Sequence, residues 1–138
     1  MITETKDVFV YGTLKQGHAN NGLIKDSELI EQEAYVKDMS LINSRAYPFA
    51  IDKKNSFVLG ELYRVTKDRI KLLDLLENYP TMYNRKKVEI YEVRTGYRIG
   101  TAWIYFIDDK NSIGRMLRQY ALTNYWPNKG NKGEKLFV

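Results

Sequence analysis

Two strand-length runs, Arg85–Arg94 and Tyr97–Ile107, meet at Thr95-Gly96, and this pair restricts the fold more than any other feature. In the second run Tyr97, Ile99, Thr101, Trp103, Tyr105 and Ile107 recur at period two and share one predicted face. Two strands cannot stand alone in water and need further sheet or a helix against them. The rest of the chain offers both. Val8-Phe9-Val10-Tyr11 is an apolar run cut off by Gly12, which predicts a buried strand ending in a tight turn. Another strand is expected over 33–43. Tyr47–Ile51 reads as extended, because Pro48 excludes the helical region for its predecessor. Asp52-Lys53-Lys54-Asn55 then turns the chain into Phe57–Val65, and the spacing predicts a hairpin of those two segments.

Thr66 predicts an N-cap, with Asp68 in the first turn and a helix running to about Asn78, before Pro80. Ser112 is expected to cap a second helix carrying Ile113, Met116, Leu117, Tyr120 and Ala121 at helical spacing. No internal repeat or linker interrupts this order. The expected architecture is α+β: a small mixed β-barrel or strongly curled sheet with flanking helices, one domain over 1–126. Residues 127–138, polar and rich in Gly, Lys and Asn, read as a C-terminal tail.

Composition narrows the chemistry before any motif does. The absence of cysteine excludes a disulfide framework, thiolate catalysis, zinc fingers and cysteine-ligated clusters. A single histidine, His18, excludes a two-histidine metal site, and the polar loop around it predicts a solvent-facing ring. An enzyme built from this chain would therefore take its acid/base group from a carboxylate or a tyrosine. The net charge of +5 and eleven tyrosines admit a nucleic-acid module that combines phosphate contacts with base stacking. Basic and acidic residues are nonetheless mixed along the chain, and tyrosine equally suits the half-exposed wall of a small sheet. No apolar run approaches the roughly 20 residues of a membrane span, and the first residues lack a signal-peptide core. A soluble cytoplasmic protein is the expectation.

Projected at 100° per residue, the 66–78 helix places Leu75, Leu72, Leu76 and Leu73 on one arc, with Ile70 at its far edge. Glu77 falls between Leu73 and Ile70, while Lys67, Lys71, Asp74 and Asn78 take the opposite arc. An acid on the apolar side loses hydration and sits at the negative end of the helix dipole, so its pKa is expected to rise toward neutral. The alternative is that Glu77 borders the face, reaching water or pairing with Arg85 or Arg69. Glu61, in the apolar run 57–65, is the rival acid. At the other end of the chain, the Tyr11-Gly12-Thr13-Leu14 turn could aim successive N–H groups at a carboxylate or an oxyanion.

Taken in order, these pieces are more specific than any is alone. Tyr11-Gly12-Thr13-Leu14-Lys15-x-Gly17, with Asn20 following, resembles the opening signature of the gamma-glutamylcyclotransferase-like (AIG2-like) family. Gly60-Glu61-Leu62-Tyr63 and Leu73-Asp74-x-x-Glu77-x-Tyr79-Pro80-x-x-Tyr83-x-Arg85 resemble its central segment, and Ala102-Trp103-Ile104-Tyr105 its last core strand. The likeness covers about residues 8–107. It departs at Asn124-Tyr125-Trp126, where family members often carry a Gly-Asp-Trp-like turn.

The resemblance implies a compact barrel with one cavity and a small-molecule gamma-glutamyl substrate. The substrate's own alpha-amine would attack its gamma-carbonyl, releasing 5-oxoproline and a free amine. It assigns catalysis to Glu77 and substrate binding to the backbone of Tyr11, Gly12, Thr13 and Leu14. Tyr83 and Tyr105 would line the cavity. No metal or organic cofactor is implied, and a nucleophile carried by the substrate suits a chain without cysteine. A non-catalytic ligand-binding or interaction domain on the same fold is the alternative.

Overall fold

The computed structural model of the chain describes residues 4–12, 14–18, 20–24, 26–45 and 47–126. Candidate residue Thr13 and the expected tail 127–138 lie outside the described residues. Among those described, the chain runs β1 (Thr5–Val10), a 3₁₀ turn (Asn21–Leu23), β2 (Glu28–Asn43) and β3 (Pro48–Thr66). It continues as α1 (Lys67–Leu76), β4 (Asn84–Glu92), β5 (Arg98–Phe106), α2 (Lys110–Leu117) and β6 (Leu122–Thr123).

The strand order is β3-β1-β5-β4-β2-β6, and β2 also pairs with β3, so the sheet curls back on itself. β1 and β5 run parallel, meeting at Val8 and Trp103, and the other pairings are antiparallel. β2 meets β4 across Ala34 and Tyr35. Contacts this brief at two seams make a strongly curled mixed sheet rather than a clean barrel. No helix among the described residues is long and apolar enough to cross a membrane.

Alternation along β1 feeds two apolar layers. Val8 and Val10 enter one, Phe9 and Tyr11 the other. The first layer takes Ile70 and Leu73 from α1. The second draws on all five long strands, through Phe9, Val36, Leu62, Ile90 and Ile104 among others, and fills the curl. Each such side chain contributes about 1.5–3 kcal/mol on burial, and a strand buried on both faces reads as an unbroken apolar run. β1 also approaches β3 unusually closely. A Cβ on Gly60 would sit 2.4 Å from the Val10 carbonyl oxygen and 2.6 Å from the Phe9 ring.

Several local expectations change. The segments expected to form a hairpin, 47–51 and 57–65, belong to one strand, β3, which pairs with β2 and, over Glu61–Thr66, also with β1. The polar residues between them form a bulge, where the register passes from Lys37–Phe57 to Met39–Asp52. Asp38 and Asn55 take positive φ values of 60° and 63° there, and the Asn55 N–H donates to the Asp38 carboxylate at 3.0 Å. Asp and Asn tolerate that backbone, so the turn chemistry marks a kink inside a hairpin arm.

α1 is capped as expected, with Thr66 Oγ1 accepting the Arg69 N–H at 3.2 Å. Its buried face is rotated from the leucine arc: Ile70 and Leu73 are buried, whereas Leu72 and Leu75 are 48 % and 74 % exposed. The sheet covers a stripe narrower than the four leucines. α2 is capped by Asp109 rather than Ser112, the carboxylate accepting the Ser112 N–H at 3.0 Å. β2 reaches back to Glu28. Tyr97 and Ile99 are exposed, because the outer part of the β4–β5 hairpin extends beyond the layers.

Candidate functional site

β1 delivers Tyr11 and Gly12 to the first turn, and the loop beyond is stapled to the sheet. The Lys15 N–H donates to the Gly12 carbonyl at 3.0 Å, and the His18 N–H to that of Lys15 at 3.1 Å. Glu61, buried on β3 opposite Val10, accepts the Gln16 N–H at 3.0 Å and the Tyr63 hydroxyl at 3.1 Å. Burial and the Glu61 charge push the Tyr63 phenol up to about 12. Asn21 Nδ2 donates to the Leu14 carbonyl at 2.9 Å. The Lys15 ammonium donates to the Trp126 carbonyl and lies 4.4 Å from the centre of the Tyr125 ring. Glu61 is thus a buried acceptor that ties the loop down. His18, expected in solvent, is 6 % exposed, because this loop folds inward. A cavity of about 280 Å³ adjoins the loop, with Lys15, Leu59, Gly60, Glu61 and Tyr125 in its wall.

Glu77 caps the C-terminus of α1. Its N–H donates to the Leu73 carbonyl at 2.9 Å, and Asn78 follows at φ 50°, a left-handed position that asparagine tolerates. Residue 77 follows Ile70 by two turns and Leu73 by one, so it continues their buried stripe. Glu77 is 1 % exposed. The boundary position weighed in the sequence does not occur.

Three tyrosines share this cluster, for the charge of Glu77 acts on the hydroxyls of Tyr11, Tyr83 and Tyr105. Burial is the first cause holding each phenol above its ordinary pKa. Glu77 follows for Tyr11, the charges of Tyr11 and Glu77 for Tyr83, and Asp74 then Glu77 for Tyr105. All three are therefore neutral at physiological pH. Each phenol also has an acceptor for its one proton. Tyr11 donates to the Tyr105 carbonyl at 2.8 Å, Tyr83 points at the Pro48 carbonyl at 3.5 Å, and Tyr105 donates to Asp74 Oδ1 at 2.7 Å.

Asp74 completes a second layer around the site. It accepts Arg85 Nε at 3.0 Å and Nη2 at 3.5 Å, and the guanidinium lies 4.5 Å from the Tyr79 and Trp103 ring centres. Arg85 pairs with Asp74, not with Glu77 as one alternative had it. The helix projection puts Asp74 on the polar arc with Lys67 and Lys71. The available signal was its position one turn before Glu77, which lets the two share a neighbourhood.

Glu77 thus lies buried where its charge acts on Tyr11, Tyr83 and Tyr105, while Gly12 and Leu14 sit in the stapled loop at the end of β1. A cavity of about 850 Å³ opens beside Phe49, on which Tyr83 stacks with ring centres 5.8 Å apart. Tyr47, Ile107, Met116 and Tyr120 line it together with the charged Asp109 and Arg115. Trp126 packs in the apolar layer inside the curl. Among the described residues no group of three or more His, Asp or Glu gathers closely enough to hold a metal ion.

The chain matches the family described as Gamma-glutamyl cyclotransferase, AIG2-like, over residues 8–127. A candidate gamma-glutamylcyclotransferase of Vibrio cholerae is 33 % identical over 110 residues, spanning 80 % of this chain and 89 % of that protein. The gamma-L-glutamyl-butirosin B gamma-glutamyl cyclotransferase of Niallia circulans is 28 % identical over 109 residues, spanning 75 % and 69 %. In three dimensions the chain is similar to an AIG2-like protein of Mus musculus, with a TM-score of 0.74 at 20 % identity over 94 % of this chain and 93 % of that one. The matched segment begins within β1 and includes both helices and the cluster around Glu77. The chain belongs to the gamma-glutamylcyclotransferase-like (AIG2-like) family.

Proposed function

We propose that the protein cleaves a gamma-glutamyl amine or amide by intramolecular cyclisation, with Glu77 as the proton-transfer group. The observation that carries this is the burial of Glu77 where its charge acts on three neutral, buried tyrosine hydroxyls, one of which, Tyr11, directly follows β1. The family membership of the chain supports it.

Glu77 takes a proton from the substrate's alpha-ammonium. The freed amine attacks the gamma-carbonyl carbon and closes a five-membered ring. The bond to the leaving nitrogen then breaks as Glu77 returns the proton to it, and the second surplus proton of the ring nitrogen passes through Glu77 to the departing amine, giving 5-oxoproline and the amine as its ammonium ion. No water enters the products. Holding amine and carbonyl together removes much of the entropic barrier, and a positioned acid/base group adds about 10²–10⁴-fold. Backbone N–H groups of Gly12, Thr13 and Leu14 bind the substrate carboxylate or the tetrahedral oxyanion. Tyr83 and Tyr105 line the site. The name of the Niallia circulans relative specifies a gamma-L-glutamyl group on butirosin B, so the gamma-glutamyl group of its substrate is attached to a further molecule that is released.

The test is a panel of gamma-glutamyl amines and amides incubated with the protein in ¹⁸O-water. Unlabelled 5-oxoproline from at least one of them supports cyclisation. Labelled glutamate in its place would mean hydrolysis. A second reading, a non-catalytic domain on the same fold, is favoured by the 1 % exposure of Glu77, which leaves a substrate no open path to it in this conformation. Failure of the whole panel to react selects that second reading.

A further inference from the structure

We propose that Asn21 is a positioning residue for the turn that receives the gamma-glutamyl group. Its side-chain amide donates at once to the Leu14 carbonyl and the Tyr63 hydroxyl, and so locks the loop behind that turn into a hydrogen-bonded ring with Glu61. This rests on the substrate-binding role of the Gly12–Leu14 turn and deepens it.

Two successive peptide planes follow the turn, and each is held at both edges. In the Leu14–Lys15 peptide the N–H donates to the Gly12 carbonyl at 3.0 Å, and the carbonyl accepts Asn21 Nδ2 at 2.9 Å. In the Lys15–Gln16 peptide the carbonyl accepts the His18 N–H at 3.1 Å, and the N–H donates to Glu61 Oε1 at 3.0 Å. A rigid plane held by its N–H and its carbonyl together cannot flip about the line joining its Cα atoms. Two of these four restraints are bonds within the loop backbone. The other two come from side chains, Asn21 and Glu61. Leu14 is 0 % exposed, and among the described residues its N–H meets no acceptor. A buried open donor beside a fixed plane is what an incoming carboxylate or oxyanion needs.

Tyr63 joins the two side chains. Its hydroxyl oxygen accepts Asn21 Nδ2 at 3.4 Å, and its proton goes to Glu61 Oε1 at 3.1 Å. Donation therefore runs one way, from Asn21 through Tyr63 to Glu61, and the ring closes through the backbone between Gln16 and Leu14. Asn21 gives both protons of one amide nitrogen. A hydroxyl at this position has one proton and an ionised carboxylate none, so neither completes the ring. Removing Asn21 takes the donor from a buried carbonyl and frees the Leu14–Lys15 plane to turn, while Glu61 still holds the Gln16 N–H.

Leu14-Lys15 is the single Leu-Lys pair in the sequence, so protein labelled with carbonyl-¹³C leucine and ¹⁵N lysine gives one NMR cross-peak, from the plane in question. Its ¹³C frequency is expected to move upfield in Asn21→Ala as the hydrogen bond is lost. Asn21→Asp keeps the size without the donors and shifts the same way, and it serves if the alanine variant does not fold. Well below the melting temperature, kcat/KM on the most reactive gamma-glutamyl amine falls about tenfold in either variant. Tyr63→Phe costs about threefold, and adding it to Asn21→Ala costs nothing further, because the hydroxyl acts on the turn through the same ring. An unmoved cross-peak overturns the proposal. So does a moved cross-peak with kcat/KM unchanged, and so do losses that multiply in the double variant. If the parent protein turns over no gamma-glutamyl compound, the cyclisation reading fails instead, and the cross-peak alone decides whether Asn21 holds the plane.

Discussion

Gly60→Ala is expected to damage both the fold and the site from a position that touches no substrate. The new Cβ would lie 2.4 Å from the Val10 carbonyl oxygen and 2.6 Å from Phe9 Cζ. The first of these is backbone, held in register by the Val10–Glu61 pairing, so it cannot swing aside as a flexible side chain would. The Phe9 ring is fully packed inside the curl. Overpacking of this kind costs roughly 1–3 kcal/mol, and with a backbone atom in the path the upper figure of about 3 kcal/mol applies. Unfolding entropy near 60 °C is about 2.1 cal/mol/K per residue, or about 0.29 kcal/mol/K for 138 residues. The melting temperature therefore falls by about 10 °C. Thermal melts by circular dichroism measure this, with Gly114→Ala as the control. No atom lies within 4 Å of a Cβ there, and alanine in a helix is neutral or favourable by up to about 1 kcal/mol. Since β1 leads directly to Tyr11 and Gly12, Gly60→Ala should also lose cyclotransferase activity at temperatures where it is still folded. A melt within about 2 °C of the parent would refute the close-approach reasoning.

Other expected outcomes follow from the same contacts. Glu61→Ala leaves the Gln16 N–H and the Tyr63 hydroxyl without their acceptor, costing about 1–3 kcal/mol, while Glu61→Gln retains an oxygen there and loses less. Denaturant titration checks the stability, and steady-state kinetics should show Glu61→Ala raising KM more than it lowers kcat. Thr66→Ala removes the cap on Arg69 N and should cost about 1 kcal/mol in the same titration. Stability should also fall as pH rises above about 10, the ordinary tyrosine pKa, because the unfolded chain then releases tyrosine protons that the folded state retains. The decline continues through the Tyr63 value of about 12. Tyr63→Phe should make melting temperature depend less steeply on pH in that window.

What was legible in the sequence depended on whether a local signal had a local cause. The Thr66 cap and the end of α1 before Pro80 were readable because capping and proline act within one turn. Glu77 was readable because its offset from Ile70 and Leu73 fixes its face whatever covers it. The leucine arc misled, since the width of the buried stripe is set by the sheet beneath, and Leu72 and Leu75 carry no mark of what fails to reach them. The bulge at Asp52–Asn55 looks like a turn in the sequence because Asp and Asn signal a positive φ without saying whether the strand resumes with the same partner. Asp74 was missed for a related reason. Its partners, Tyr105 and Arg85, lie 31 and 11 residues away, and only the curl of the sheet brings them together.

The most direct test of Glu77 as the proton-transfer group is the rate of 5-oxoproline release from a reactive gamma-glutamyl amine by the parent protein and by Glu77→Gln, compared at one pH. The amide keeps the size and polarity of the carboxyl but cannot cycle a proton. The expected result is a fall of about 10²–10⁴-fold in kcat, with the melting temperature little changed. Equal rates in the two proteins would contradict it.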